Sequence, residues 1–315
     1  MNKINRIVFL GTPDFAVPSL QALVENGYPV VAVFTQPDRP KGRGNKVVFS
    51  PVKEYALAHN IPVFQPDKIR RPENARILKQ LQPDLMVTAA FGQILSKENL
   101  DTPTYGCINV HGSLLPAYRG SSPIQWAVIN GEKETGITTM FTDVGIDNGD
   151  ILLQKKTAIG DCETAGELFD RLASLGAETL LETLHALEEG KLARIPQDES
   201  KASHYPMLDK DSAGIDFFKS AKEIVNLVRG MNPWPVAWTK AGEDVIKVYA
   251  ASVFSDKKTA EPGTILNKDH KNGLVVACGD GAVSLDVIQF PGKKAMDAKT
   301  FFVGNQIKTE VLSHE

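Results

Sequence analysis

Cys107-Ile-Asn-Val-His-Gly-Ser-Leu-Leu-Pro-Ala-Tyr-Arg-Gly120 is the stretch from which the rest of the chain is read. Its first five residues form a short buried strand, and Gly112, Pro116 and Gly120 break the loop that follows. Side chains alternate along a strand, so Asn109 and His111 leave one face, roughly 6.6 to 7 Å apart at Cα, while Ile108 and Val110 leave the other. An amide and an imidazole together at a strand end can hydrogen-bond one oxygen as it gains negative charge, and the imidazole can also carry a proton. The strand is the expected centre of an active site.

Upstream of it, apolar runs alternate with helical stretches. Ile7 to Leu10 reads as a strand, Gly11 as a turn, Thr12 as a helix N-cap and Pro13 as the first helical residue. A second strand runs from Val30, a helix from Pro51 through His59, a short strand from Pro62 to Gln65, and a helical stretch ends near Leu81. Leu85 to Ala90 is a buried strand whose carboxyl end turns sharply at Phe91-Gly92, a loop placed to line a pocket with backbone amides. Strand, helix, strand, helix and then the strand at Cys107 predict an α/β domain with a doubly wound, mostly parallel sheet. In such sheets ligands collect at the carboxyl ends of the strands. The G-x-G-x-x-G fingerprint is absent after the first strand, which makes a dinucleotide oxidoreductase a poor fit.

Between the second strand and Pro51 lies Gln36-Pro-Asp-Arg-Pro-Lys-Gly-Arg-Gly-Asn-Lys46. Two glycines and two prolines predict irregular structure around Arg39, Lys41, Arg43 and Lys46. Two readings stand: a solvated surface loop, or a basic arm that orders on a phosphodiester backbone.

Downstream, Ile124 to Asn130 reads as a helix and Thr135 to Phe141 as a strand ending in an Asp- and Gly-rich turn, Thr142 to Asp150. Asp143, Asp147 and Asp150 lack the spacing and closing Glu of a calcium loop, and the sharper expectation is that one of them partners His111. Another strand starts at Ile151, and Thr164-x-x-Glu167 opens a long amphipathic helix with Leu168, Leu172 and Leu175 on its core face. Periodicity fades over residues 190–208, the expected linker between a catalytic domain, 1–189, and a second domain, 209–315. There, after a helix at Ser220 to Arg229, short β segments with Asn272-Gly273 and Asp280-Gly281 turns predict a small barrel of the five-stranded OB type. Lys293 and Lys294 fit a phosphate contact and a solvated turn equally.

With 315 residues, 42% hydrophobic and 23% charged, the composition is that of an ordinary globular chain with two cores. A net charge of −3 argues against a protein that coats nucleic acid, while leaving room for a local basic patch. The three cysteines form no C-x-x-C pair and the six histidines no H-E-x-x-H, so neither a disulfide framework nor a recognisable zinc site is supported. Cys107 shares a face with Asn109 and His111, which permits a covalent role, but it lies one pleat deeper with no base beneath it, which favours packing. The amino terminus lacks a signal-peptide core and no apolar run approaches a membrane span, so a cytoplasmic protein is expected.

Asn109-x-His111, Ser113-Leu-Leu-Pro116-x-Tyr118-Arg119-Gly120 and Asp147-Asn-Gly-Asp150 resemble the core of the folate-dependent formyltransferase family. Phe9 to Val17, Gln36 to Pro40 with the Gly-Arg-Gly arm, Asn232-Pro-Trp-Pro-x-x-Trp238, Pro262 to Ile265 and Gly292 to Met296 extend the resemblance over nearly the whole chain, toward members that act on methionyl-tRNA. The resemblance implies a Rossmann-like catalytic domain of formyltransferase type with an OB-like domain after it. It also implies formyl transfer from 10-formyltetrahydrofolate to the α-amine of methionine on initiator tRNA, without a metal. By matching position, Asn109, His111 and Asp147 take the catalytic roles and Ser113, Leu114, Leu115 and Pro116 the folate contact, to which the Phe91-Gly92 loop is added. Arg43 falls where the family places a loop against the acceptor stem; Arg39, Lys41, Lys46, Lys293 and Lys294 complete the expected tRNA contacts. The expected partners are tRNA and the folate co-substrate, with no membrane and a monomeric chain. Two alternatives remain: a formyltransferase for a sugar nucleotide or purine precursor, which needs neither barrel nor basic arm, and a noncatalytic RNA-binding protein, which leaves Asn109, His111 and Asp147 without purpose.

Overall fold

A computed structural model describes residues 4–41 and 46–314. Strand β1 (Ile7–Gly11) is buried along its whole length, as a strand covered on both faces must be. A 3-10 turn at Asp14–Ala16 leads to α1 (Val17–Glu25) and β2 (Val30–Phe34). Then come β3 (Arg39–Lys41), β4 (Lys46–Val48), α2 (Pro51–Ala58), β5 (Val63–Phe64), α3 (Pro72–Leu81), β6 (Leu85–Ala89), α4 (Lys97–Leu100) and β7 (Cys107–His111). After β8 (Arg119–Gly120) and α5 (Pro123–Ile129) follow β9 (Glu134–Phe141), β10 (Ile151–Ala158) and α6 (Ala165–Glu188).

Seven of these strands form one sheet in the order β10-β9-β7-β6-β1-β2-β5. β1 pairs in parallel with β2 and β6, β2 with β5, and β6 with β7, while β7 and β9 are antiparallel. The mostly parallel, doubly wound expectation holds. From β1 the chain proceeds outward through β2 and β5, then crosses back to lay β6 on the other side of β1. That reversal opens a crevice at the carboxyl ends of β1 and β6, the usual ligand position in open α/β sheets. Val8, Leu10, Phe34, Met86 and Cys107 belong to one apolar cluster.

Two local expectations are corrected. Thr12 is not an N-cap, because the chain makes the 3-10 turn before α1 begins at Val17, and its hydroxyl instead donates to the Phe91 carbonyl at 3.1 Å. The basic loop is not irregular at its base: β3 and β4 pair antiparallel, Arg39 opposite Val48, with Pro40 opposite Val47 on a ribbon of only two strands. Arg43 lies outside the described residues, as do the side chains of Lys41 and Lys46.

The chain divides into two compact units, one of residues 1–120, 135–158 and 169–204, the other of 121–134, 159–168 and 205–315. Within the first, the stretch expected as a linker is tied down by an antiparallel bridge between Ile151 and Ile195. Strand β11 (His204–Tyr205) lies where the chain passes to the second unit. That unit contains α7 (Ala221–Gly230), opened by a Ser220–Glu223 capping box, then β12 (Ala237–Ala241), β13 (Asp244–Ser255), β14 (Ile265–Asp269), β15 (Gly273–Ala277), β16 (Ala282–Gln289), β17 (Met296–Asp297) and α8 (Ala298–Gly304). Its sheet runs β12-β13-β16-β15-β14, with β17 on β16. The two edges are joined by the tail: Ser313 bridges Lys240 of β12, and Val311 bridges Thr264 just before β14. An antiparallel sheet closed in this way fits the OB-like expectation, and Ile224 and Val228 of α7 pack into its core. Among the described residues no helix is long and apolar enough to cross a membrane.

Candidate active site

Asn109 sits on β7 directly opposite Thr88 of β6, and the Thr88 hydroxyl donates to its Oδ1 at 2.8 Å. With the oxygen so engaged, the Nδ2 group is the end of the amide left to donate to a ligand. His111, two residues on and on the same face, is buried. Its Nε2 lies 3.0 Å from the Tyr118 carbonyl, which can only accept, so Nε2 carries the hydrogen and the neutral ring keeps its lone pair at Nδ1. Nδ1 faces Asp147 Oδ2 at 3.7 Å. The same carboxylate oxygen accepts from the Gly120 amide at 2.8 Å. Asp147 therefore stands beside His111 as expected, but the ring is held by the Tyr118 carbonyl, because 3.7 Å exceeds a hydrogen bond.

The loop after β7 is fixed from several sides. Ser113 is fully buried; its hydroxyl donates to the Ala117 carbonyl at 2.7 Å, and its own carbonyl accepts from Thr138 at 2.7 Å. Thr138 also accepts from the Leu115 amide at 3.1 Å, and Gln154 donates to both Thr138 and the Leu115 carbonyl. The Lys155 carbonyl and the Leu114 side chain together occupy the space where Gly136 lacks a Cβ. In the segment matched to folate contact, Ser113 and Leu115 are thus buried as framework, while Leu114 and Pro116 are partly exposed.

A second fixture comes from far along the chain. Arg119 is 3% exposed, paired through both terminal nitrogens with Glu199 at 2.9 and 2.7 Å and bonded to Gln197 Oε1 at 3.0 and 2.8 Å. Gln197 Nε2 donates to the carbonyls of Asp147 and Gly149 at 2.9 and 2.8 Å. The Ser203 hydroxyl accepts from the Tyr118 amide at 2.9 Å, and its carbonyl accepts from the Arg119 amide at 2.9 Å.

The acidic turn does not gather its carboxylates. Asp143 accepts from the Val144 amide and Asp150 pairs with Arg194 at 2.8 Å, leaving Asp147 alone beside the histidine. Cys107 is buried in the apolar cluster, and burial pushes its thiol up to about 12, so no thiolate nucleophile forms there near neutrality.

A cleft of about 620 Å³ opens at the carboxyl ends of β1, β2 and β6, lined among others by Thr12, Gln36, Arg39, Phe49 and Gly92. Of the predicted site residues it takes in Arg39 and Gly92 but neither Asn109 nor His111. Phe91 is buried, and its carbonyl is occupied by Thr12 and by Gln36 Nε2. In the second unit Lys293 bonds Asn305 at 2.7 Å over the Phe301 ring, and Lys294 is exposed. Sequence reasoning missed Thr88, the Tyr118 carbonyl as the acceptor for His111, Arg119 and Gln197. Thr88 is legible once β6 and β7 are aligned; Gln197 carries no local signal, since only the return of the chain over the loop gives it partners.

Residues 5–184 match the family model described as formyl transferase, and residues 207–306 match the model for the formyl transferase C-terminal domain. A methionyl-tRNA formyltransferase of Acetivibrio thermocellus is 54% identical over 309 residues, covering 98% of this chain and 99% of that protein. One of Clostridium novyi is 52% identical over 306 residues, covering 97% and 98%. Among solved structures, WlaRD, a sugar 3N-formyl transferase with dTDP and 5-N-formyl-THF, superposes with a TM-score of 0.66 at 21% identity, covering 93% of this chain and all of that one. HypX from Aquifex aeolicus with tetrahydrofolic acid gives 0.64 at 16% identity, covering 97% of this chain and 48% of that one. At such identities these two structures speak for the fold alone.

Proposed function

The chain belongs to the formyl transferase family, and we infer that it moves the formyl group of 10-formyltetrahydrofolate to the α-amino group of methionyl initiator tRNA. The observation that carries this reading is the grouping of the Asn109 amide, the His111 ring and the Asp147 carboxylate at the carboxyl end of β7. Methionyl-tRNA formyltransferases matched over nearly their full length support the acceptor.

The chemistry follows from the donors and acceptors present. A neutral amine attacks the formyl carbon, and the carbonyl oxygen gains charge that Asn109 Nδ2 meets with a hydrogen bond. The attacking nitrogen must then lose a proton. His111 Nδ1, the lone-pair end of the ring, is the acceptor for it, directly or through one water. The ring so protonated donates at both ends, to the Tyr118 carbonyl and toward Asp147, whose carboxylate offsets its charge. The same proton is available to the departing folate nitrogen.

The folate lies against the 113–116 segment and the Phe91-Gly92 turn, contacted by main chain, Leu114 and Pro116 rather than by the buried Ser113 and Leu115 side chains. The basic residues Arg39, at the wall of the cleft at β1, β2 and β6, and Lys41, Arg43 and Lys46, which follow on the chain, meet the acceptor stem, and the aminoacyl end reaches past them to Asn109 and His111. Residues 1–189, completed by Gln197, Glu199 and Ser203, form the catalytic part, and 209–315, including Lys293 and Lys294, a second RNA-binding part. The protein works as a cytoplasmic monomer. The test is to incubate it with 10-formyltetrahydrofolate and, separately, methionyl initiator tRNA, free methionine or an amino-sugar nucleotide. Formylation of the charged tRNA alone is expected; formylation of the sugar, or none, overturns the assignment.

A further inference from the structure

We propose that Gln197 is a positioning residue for the transfer, a single amide that sets the spacing between the two groups facing the nitrogens of His111. The proposal rests on the formyl-transfer reading above. Gln197 is half-buried, while residues 193–196 and 198–201 around it are all exposed. Its oxygen takes two donors from Arg119 and its amino group gives both hydrogens to the Asp147 and Gly149 carbonyls. All its hydrogen-bonding capacity is used, and the partners admit one orientation only, since Arg119 can only donate and carbonyls only accept.

The two ends of this bridge reach the two sides of the catalytic ring. Arg119 follows Tyr118, whose carbonyl holds Nε2; Asp147 is the residue facing Nδ1. Asp147 has a left-handed backbone, φ 49°, uncommon for a residue with a side chain, and the turn before it, residues 143–146, is exposed. With so little packing of its own, its position depends on the Gly120 amide and on Gln197. The gap of 3.7 Å at Nδ1 is the quantity at stake, because a displacement of about 1 Å in either direction makes the contact or loses it, on the scale that costs an enzyme about 10²-fold.

Gln197→Glu tests this. It keeps the length and the Arg119 contact but turns an acceptor toward the two carbonyls. Expected is a fall in kcat of about 10- to 100-fold with KM for tRNA and folate within about twofold of wild type. Asp198→Ala, which removes the local cap on Ser200 and an exposed ion pair with Lys201 but no contact to Arg119 or Asp147, should leave kcat unchanged. If Gln197→Glu melts below the assay temperature, Gln197→Asn, one methylene too short to span, is read in the same way. Wild-type kcat in the folded variant, or a rise in KM at unchanged kcat, overturns the positioning role. An inactive wild-type protein instead overturns the formyl-transfer reading and is seen before any variant is made.

Discussion

His111 Nδ1 and Asp147 Oδ2 stand 3.7 Å apart, beyond hydrogen-bonding distance for a neutral ring and well within the reach of its charge once it is protonated. On the proposed mechanism this pair receives a proton during the reaction. His111→Ala should lower kcat by about 10²- to 10⁴-fold, and Asp147→Asn, which keeps the shape and removes the charge, by at least about tenfold. Single-turnover formylation of methionyl-tRNA measures both; a fully active His111→Ala protein would remove the ring from the mechanism.

Asn109→Ala should cost about 10²- to 10³-fold in kcat, the usual loss for one donor to a developing oxyanion. Thr88→Val preserves volume but frees the Asn109 oxygen, so the amide loses its preferred orientation. A smaller fall, about tenfold, with unchanged KM is expected, and equal losses for the two variants would contradict this division.

The cysteines differ in reach. Cys162 is exposed, whereas Cys107 and Cys278 are buried, and burial drives the Cys107 thiol up to about 12. Iodoacetamide on the native protein at pH 8 should modify Cys162 and spare Cys107, as peptide mass analysis can show. Cys107→Ala should turn over near the wild-type rate; loss of turnover would reopen a covalent route.

Hydrogen bonding by Arg119 holds the Glu199 carboxyl below its ordinary value. A carboxyl depressed in the folded state adds stability above its unfolded value, near about 4.3, and that stability is lost as pH falls through the folded value. The melting temperature of Glu199→Gln should therefore lie below that of wild type at pH 7, and the difference should shrink on acidification below about pH 4. A pH-independent difference would mean that the charge on Glu199 is not what supports Arg119.

Truncation after Glu310 removes the tail bridges to Lys240 and Thr264 together with Leu312, which is 2% exposed. Loss of the leucine alone is worth about 1.5–3 kcal/mol. The truncated protein should unfold at lower denaturant and, with two sheet edges uncovered, should self-associate. An unaltered denaturation midpoint would show that the barrel holds without its closure.

The parallel sheet was legible because its strands are continuous apolar runs separated by helix signals, and burial on both faces demands that composition. The Asn109 and His111 pair was legible because strand periodicity alone puts both on one face. What holds them was not. Tyr118 acts through a carbonyl, which any residue could present, and the pairing of β3 with β4 runs against the two prolines and two glycines nearby. Residues 190–208 lose periodicity because side-chain bonds from Gln197, Glu199 and Ser203, rather than a repeating apolar face, keep them in place.

The cleft takes its lining from the turns after β1, β2 and β6, while the carbonyl chemistry belongs to β7 and the turns flanking β8 and β9. On the proposed reading, contact with the acceptor and the transfer itself are thus carried by separate segments of one sheet. If residues 36–51 meet the acceptor as proposed, a lineage that alters them and leaves 107–120 untouched changes what it formylates while keeping its formyl chemistry.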